Sequence, residues 1–442
     1  MNDTDSLKDR VGSAVEEHRE AIVSLARDVQ GEPELGYKET ETERKVAETF
    51  ESMGLDVETG LAVTGVRARV GSGDPVVAVL GELDALVNPE HPKADPETGA
   101  CHACGHDAQL ANLVGAAYAF ATTDALDRLD GSVELLAVPA EEYLDLGYRK
   151  GLVEAGEIEF FGGKQELIRR GYFDDVDMAM MIHAASDTPG REVTSAFSTN
   201  GFVGKFVTYE GKESHAGAAP EEGVNALNAA TVGMNGVHAL RETFADEDAI
   251  RVHPIITKGG SGVNVVPSEV TMESYTRGRT VEALAEANAG VNRALRAGAM
   301  AVGARVEIED YPGYMPLRTD DTMVEAYDAN VTAELGADAL IGDRPHLSGS
   351  TDMGDVTQVV PGIHPWVGGF EGSVHSREFR VVDEEMAYVV PAELTARTVV
   401  DLLADPEKVE AIRAAKERKK SREEYLADVR SMRADVAGDY ME

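Results

Sequence analysis

Residues 101–107 read Cys-His-Ala-Cys-Gly-His-Asp, and residues 107–122, which follow directly, have the apolar spacing of a helix. Short apolar runs that are typical of buried strands lie on both sides of this stretch, at 66–70, 75–80, 131–138 and 177–182. Strands that alternate with helices form a sheet covered on both faces. The sequence therefore predicts an α/β domain with a mixed sheet, in which residues 101–107 form a loop before a helix.

The pattern changes near residue 197. From there to residue 311, strands and helices are predicted in the order β-α-β-β-α-β, at 205–210, 224–244, 251–258, 265–277, 281–303 and 305–311. We therefore expect a ferredoxin-like domain over 197–311, inserted into a discontinuous larger domain of 1–196 and 312–442. The C-terminal residues from about 408 alternate in charge at helical spacing and predict a solvated terminal helix.

Length and charge limit the classes of function. The 442 residues favour two domains, and 80 Asp and Glu against 41 Lys and Arg give a net charge of −39, which argues against nucleic-acid binding. No apolar run approaches the roughly 18 residues of a membrane span, and the acidic N-terminus lacks the features of a secretory signal. Because the acids are spread along a Lys-poor globular chain, we expect a salt-adapted cytoplasmic protein from a halophile.

Side chains that can bind metal ions follow three of the predicted strands. Asp84 follows the second strand, Glu141 and Glu142 the third, and His183 the fourth. Ligands in open α/β sheets bind at such strand ends. Each residue alone also has a plain structural explanation: a helix cap for Asp84, a solvated pair for the glutamates and a buried structural role for the histidine.

Cys104-Gly105-His106 is harder to explain structurally, because two ligands on either side of a glycine can reach one ion from a tight turn. Considered together, the candidates are too many for one zinc ion and about right for two. They are Asp84, Cys104, His106, Glu142 and His183.

A set of motifs, in order along about residues 30–390, resembles those of a known family. They are His-Ala-Cys-Gly-His-Asp at 102–107, Pro-Ala-Glu-Glu at 139–142, Gly-Gly-Lys at 162–164, Ser-His-Ala-Gly at 214–217, Gly-Ser-Gly-Val-Asn-Val-Val-Pro at 260–267, Gly-Ser-Thr-Asp-Met-Gly-Asp-Val at 349–356 and Val-His-Ser at 374–376. The chain resembles the two-domain metallopeptidases and amidohydrolases that include aminoacylases and glutamate carboxypeptidases. Within them it is similar to the indole-acetyl–amino-acid hydrolases and aminobenzoyl-glutamate hydrolases.

This resemblance implies a metal-dependent amidohydrolase that cleaves N-acyl or N-aroyl amino acids, or small dipeptides, with activated water. It implies two divalent ions per subunit, as zinc, manganese, cobalt or nickel. Glu141 would be the general base and Asp84 would orient a ligand. The implied metal ligands are Cys104 as the bridging thiolate, His106, Glu142, His183 and His375.

The same resemblance makes the larger domain catalytic and the inserted domain a lid that also forms a homodimer. His215 would stabilise the oxyanion, across the dimer interface. Asn264 and Arg277 would hold the free carboxylate of the substrate, a role that suits the planar guanidinium. For Arg277 the alternative is a surface arginine that offsets nearby acids.

Some alternatives stay open at this point. A dipeptidase or carboxypeptidase would use the same chemistry, whereas a redox or metal-binding Cys101-x-x-Cys104 protein would form a reversible disulfide and hydrolyse nothing. Gln109 stands where the branch often has a histidine, so a ligand or substrate contact is expected to be absent there. Roles for Cys101, His91, His102 and His364 are not fixed by the sequence; we expect Cys101 to be a buried filler and His91 a residue of a surface loop.

The charge pattern predicts that stability rises with salt. Mutual repulsion among the 80 acidic side chains weakens as ions screen it. We expect the melting temperature to increase steadily from low salt to molar potassium chloride. A melting temperature that does not change over this range would contradict the assignment to a salt-adapted protein.

Overall fold

The computed structural model describes residues 3–441, and the chain divides into two compact units. The larger unit comprises residues up to Ser198, Arg318–Pro345 and Asp355–Arg422, and the smaller unit comprises Thr199–Leu317, His346–Gly354 and the residues from Glu423. The sequence predicts the insertion at 197–311, and the longest segment of the smaller unit is Thr199–Leu317. The segment 346–354 and the C-terminal residues, however, group with the smaller unit and not with the larger one.

A six-stranded mixed sheet forms the centre of the larger unit, which confirms the predicted α/β class. Four strands are parallel, and the two at one edge are antiparallel to their neighbours. In spatial order the strands are Val57–Leu61, Gly65–Gly71, Ser132–Val138, Val76–Glu82, Met178–Met180 and Gly362–Ile363.

Helices surround this sheet, and the helix that follows the Cys-x-x-Cys stretch is the most buried of its long helices. It spans His106–Ala121 and contacts the strand Val76–Glu82 and the helices Arg19–Gly31 and Val390–Leu403. Its Ala-rich sequence has no polar face, as expected for a helix with neighbours on all sides. The other helices are Asp3–Glu17, Thr40–Ser52, Leu146–Ala155, Gly163–Arg169, Asp321–Leu335, Met353–Val359 and Pro406–Lys416.

The larger unit also contains small sheets of two or three short strands. Leu86–Val87 pairs with Ala100–Cys101, and Phe370–Glu371 pairs with Arg380–Val381. Trp366–Val367 lies between His183–Ala184 and Val193–Thr194.

The smaller unit has the element order β-α-β-β-α-β, with all neighbouring strands antiparallel. Its elements are Gly201–Glu210, Ala226–Leu240, Arg251–Lys258, Glu269–Gly278, Val281–Val302 and Arg305–Pro312. The spatial order of the strands places Gly201–Glu210 between Glu269–Gly278 and Arg305–Pro312. Apolar side chains of these strands and of both helices form a separate core.

The prediction of a solvated terminal helix is wrong. The C-terminal residues form the helices Pro406–Lys416 and Arg422–Ser431 and then a strand, Ala434–Asp439, which pairs with Arg305–Pro312 as a fifth strand of the smaller sheet. Tyr425 and Val429 are completely buried. The charge alternation hid these few apolar positions. In 434–439 the residues alternate between half-buried and exposed, which is the period of a strand, but the sequence Ala-Asp-Val-Ala-Gly-Asp does not show this alternation.

Within residues 3–441, no helix is both long enough and apolar enough to span a membrane.

Candidate metal centre

The acidic candidates follow neighbouring strands of the large sheet and therefore lie at one edge of it. Val76–Glu82 and Ser132–Val138 are completely buried and parallel, with Glu82 opposite Val138. Asp84 and the pair Glu141–Glu142 therefore leave the sheet side by side. The next parallel strand, Met178–Met180, leads to His183 at the same edge.

Cys104 lies at the centre of the candidate ligands. Its Sγ atom is 3.4 Å from His183 Nε2 and 3.3 Å from His375 Nε2. Two groups of possible ligands share this sulfur, with ligand atoms within 4.8 Å of one another: one adds His106 and His183, the other Glu142 and His375. The structure thus brings the other four predicted ligands, His106, His183, Glu142 and His375, together around the thiol of Cys104.

Asp84 orients two of these ligands. Its Oδ2 atom accepts a hydrogen bond of 2.8 Å from the Glu142 backbone N–H, and its carbonyl oxygen accepts one of 2.7 Å from His106 Nδ1. Because Nδ1 is the donor, Nε2 is the His106 atom that faces the centre. Such a bond to a carbonyl is the usual way in which a ligating histidine is oriented.

The centre fits divalent cations. His106 Nε2, Glu142 Oε1 and Asp84 Oδ1 are buried and make no hydrogen bond within residues 3–441, although His106 Nε2 lies 2.9 Å from Glu82 Oε2. A buried imidazole nitrogen and a carboxylate oxygen can lie this close only if a positive charge lies between them or is carried by the imidazole. A thiol, imidazoles and carboxylates together are a donor set for zinc and similar ions.

Burial sets the protonation of the free ligands. It lowers the pKa of His183 to about 4, so that the ring is neutral and able to ligate near pH 7. Burial, followed by the negative charge of Glu142, raises the pKa of the Cys104 thiol well above its usual range. A thiolate at this position therefore requires an adjacent cation.

The remaining predicted site residues lie in the smaller unit. His215 is exposed, its Nδ1 accepts the backbone N–H groups of Gly217 and Ala218, and its neighbour Ala216 donates to the carbonyl oxygen of Asn264. Arg277 is half-buried: its Nη1 donates to Ser350 Oγ at 2.7 Å and its guanidinium lies 5.2 Å from the ring centre of Phe202.

The sequence also matches an established family along most of its length. Residues 78–399 match the Peptidase family M20/M25/M40, which is well over half of the 442 residues. The chain belongs to this family. An M20 chain is a hydrolase of amide or peptide bonds, and the resemblance found in the motifs is thereby confirmed.

Two relatives and one solved structure show the breadth of this similarity. The chain is 31% identical to the Xaa-Arg dipeptidase of Mus musculus, over 92% of this chain and 91% of that protein. It is 28% identical to IAA-amino acid hydrolase ILR1-like 4 of Arabidopsis thaliana, over 87% of each. The fold is similar to that of Bacillus subtilis YXEP, a dinuclear metal binding peptidase from the M20 family, with a TM-score of 0.66 and 23% identity over 88% of this chain and 99% of that one.

Glu82 and Lys164 were not among the residues with a role predicted from the sequence, and the contact of Gln109 with Glu82 was not predicted. Lys164 Nζ lies 2.5 Å from Glu82 Oε1, and Gln109 both donates to Glu82 Oε2 at 2.8 Å and accepts its backbone N–H. Although burial raises it, Lys164 and His106 bring the pKa of Glu82 well below its usual range. The signal was present, since an acid at a buried strand end and a lysine inside a Gly-Gly-Lys motif both need partners.

The loop before Cys101 supports His375. Asn88 Nδ2 donates to the His375 carbonyl oxygen at 3.0 Å, and the His375 N–H donates to Ala103 O at 2.7 Å. His91 is not the expected surface residue: it is 9% exposed, and its Nε2 donates to Phe379 O at 2.9 Å. Cys101 is buried and free, as expected for a filler.

Two aromatic side chains pack against the ring of His183. The ring stacks on Trp366 at 5.3 Å and meets the edge of His364 at 5.4 Å. His364 donates from Nδ1 to Met181 O, and burial lowers its pKa to about 3, so it is neutral. Of the histidines left open by the sequence, His364 therefore packs against a ligand candidate, whereas His102 is buried and its two ring nitrogens make no hydrogen bond within residues 3–441.

The two cysteines give a matched test of the centre. After substitution with Co²⁺, the protein should show near-ultraviolet thiolate-to-cobalt absorption. Cys104→Ala should lose this absorption and bind less metal, because it removes the atom shared by both groups. Cys101→Ala, the control, should keep both. Absorption that survives in Cys104→Ala and disappears in Cys101→Ala would contradict the assignment.

Proposed function

We propose that this M20 hydrolase is a two-metal amidohydrolase that releases a free amino acid from an N-acyl or N-aroyl amino acid or a small dipeptide. The observation that carries the proposal is the sharing of Cys104 Sγ by two groups of ligands, with Glu141 beside them. Cys104 would bridge two ions, His106 and His183 would complete one site, and Glu142 and His375 the other.

Zinc, manganese, cobalt and nickel all suit this donor set, and affinity order alone does not select the physiological ion. Two bound divalent ions would polarise the scissile carbonyl and lower the pKa of a water molecule in the site. Metal analysis of the purified protein, followed by a substrate panel with each ion restored, identifies the active form.

Glu141 is the proposed general base. Its Oε2 atom lies 3.9 Å from His106 Nε2, and its side chain is 12% exposed, so it borders the ligands and still reaches solvent. Adjacent residues after a strand point in different directions, which lets Glu142 hold metal while Glu141 holds water. Glu141 would take a proton from that water and deliver it to the leaving amine.

The smaller unit would supply substrate contacts. His215 would donate to the developing oxyanion, and its bonds to the N–H groups of Gly217 and Ala218 fix the ring with Nε2 available. Arg277, together with Asn264, would bind the free carboxylate of the substrate. Ser350 and Phe202 hold the Arg277 guanidinium in place, which suits a planar two-point contact.

A dipeptidase is the second candidate. The Homo sapiens relative, 30% identical over 95% of this chain, is also a Xaa-Arg dipeptidase. A panel that compares N-acyl amino acids with dipeptides separates the two candidates, because both use the same centre but differ in the group on the acyl side.

We also infer the setting in which the enzyme works. The charge of −39 supports a salt-adapted cytoplasmic protein, and we propose a homodimer formed through the smaller unit. Light scattering of the protein in molar salt measures the dimer directly, and a monomer at micromolar concentration would contradict it.

Glu141→Gln tests the base. The substitution keeps the shape of the side chain but removes its ability to take a proton, so we expect turnover to fall by about 10²–10⁴-fold with both metal ions retained. Activity and metal content are measured on the same sample. Near-normal turnover in metal-loaded protein would exclude Glu141 as the base.

Arg277 tests the substrate class. Arg277→Lys keeps the charge but loses the fork geometry, so kcat/KM should fall by roughly 10–100-fold. Amidation of the substrate carboxylate should cost the wild type a similar factor and the variant little, because the contact is already lost. If the wild type hydrolyses free-acid and amidated substrates equally well, Arg277 does not bind a carboxylate.

A further inference from the structure

The segment that carries the base is bent in a way that needs support. Residues 139–142 leave the strand Ser132–Val138, and Ala140 has a φ of +56°, in the left-handed region. For a residue other than glycine this conformation is strained and persists only where the surroundings enforce it. The residue that follows is Glu141.

Two buried carboxyl groups hold the N–H groups on both sides of Glu141. The Ala140 N–H donates to Glu39 Oε1 at 2.8 Å, and the Glu142 N–H donates to Asp84 Oδ2 at 2.8 Å. Glu39 is completely buried, and its Oε2 atom shares a hydrogen bond of 2.6 Å with the Thr64 hydroxyl. The carboxyl of Glu39 is thus itself fixed in orientation.

One buried guanidinium holds the carbonyl groups of the same two residues. Arg149, 1% exposed, donates from Nη1 to Ala140 O at 3.3 Å and from Nη2 to Glu142 O. A third bond, of 2.6 Å, joins its Nη1 to Phe161 O. Because the guanidinium is planar and rigid, it sets the distance between the two carbonyl groups that flank Glu141.

Gly36 makes room for this arrangement. A Cβ atom there would lie 2.5 Å from Arg149 Nη2 and 3.0 Å from the Cα of Ala140. Any residue larger than glycine at position 36 would therefore collide with both Arg149 and the bent segment. Burial of polar side chains such as Glu39 and Arg149 is costly unless they are hydrogen-bonded, and both direct their polar atoms at the backbone that flanks the base.

We propose that Glu39 and Arg149 are positioning residues that fix Glu141 for proton transfer by holding the peptide groups before and after it. The inference rests on the proposed role of Glu141 as the base. A displacement of about 1 Å at a reacting group can cost roughly 10²-fold in rate. Loss of either residue therefore lowers kcat, while the metal ions and substrate affinity are largely kept.

Glu39→Met and Glu39→Gln form the central comparison. Burial, followed by the charge of Asp84, raises the pKa of Glu39 to about 8, so near pH 7 the side chain is a neutral acid that glutamine mimics. Glu39→Gln keeps an oxygen for the Ala140 N–H and should retain kcat within about threefold. Glu39→Met has similar volume but leaves that N–H unpaired, and kcat should fall by about 10–100-fold with KM and metal content near wild type.

Glu134→Met is the matched control for lost stability. Glu134 is also completely buried, lies on the strand that leads to residues 139–142, and pairs with Arg67 and Arg69. Its loss should lower the melting temperature without lowering kcat. If Glu39→Met changes kcat no more than Glu134→Met does, Glu39 is only structural and the proposal is wrong.

If Glu39→Met does not fold, Arg149→Lys tests the proposal instead. An ammonium cannot bridge both carbonyl groups in the fixed geometry, so kcat should again fall by about 10–100-fold in metal-loaded protein. Wild-type kcat in folded Arg149→Lys would overturn the proposal for this residue.

Combination with Glu141→Gln separates the inference from the function on which it rests. If Glu39 acts through Glu141, adding Glu39→Met to Glu141→Gln should lower kcat little further. If kcat of the double variant instead falls by the product of the two single-variant factors, the positioning role is wrong. Near-normal turnover of Glu141→Gln alone would instead overturn the base, whatever Glu39→Met does.

Discussion

Cys104 and His106 face one centre because Gly105 between them turns the chain with a φ of +84°. Other residues adopt this conformation at a cost of roughly 1–3 kcal/mol. A Cβ at position 105 would also lie 2.5 Å from the Cβ of Ala184, directly after His183. The glycine therefore sets both the turn and the close approach of the His183 strand, on which the 3.4 Å separation between Cys104 Sγ and His183 Nε2 depends.

The acidic side chains of the protein fall into two groups. Most are solvated, where salt screens their repulsion, whereas the acids at the sheet edge are buried and each is given a specific partner. Lys164 balances Glu82, and backbone N–H groups occupy Asp84 and Glu39. Divalent ions would balance the thiol of Cys104 and the carboxyl of Glu142.

Much of the candidate site could be predicted because its residues directly follow buried strands or lie on either side of Gly105. Asp84, Glu142 and His183 were predictable in this way, and His375 came only from the motif resemblance. Glu39 and Arg149 could not be predicted, because the partners they hold in the 139–142 segment are backbone atoms, which carry no residue signature. The final strand, Ala434–Asp439, escaped as well, since its pairing with Arg305–Pro312 is a long-range contact.

In the proposed centre, two ions share one sulfur, that of Cys104. X-ray absorption of the zinc-loaded Cys101→Ala protein, in which Cys104 is the one remaining cysteine of the sequence, measures whether this sulfur is shared. We expect two zinc ions per chain, one sulfur at about 2.3 Å from each and zinc–zinc scattering at roughly 3.5–4 Å. A single ion per chain, or zinc ions surrounded by nitrogen and oxygen alone, would contradict it.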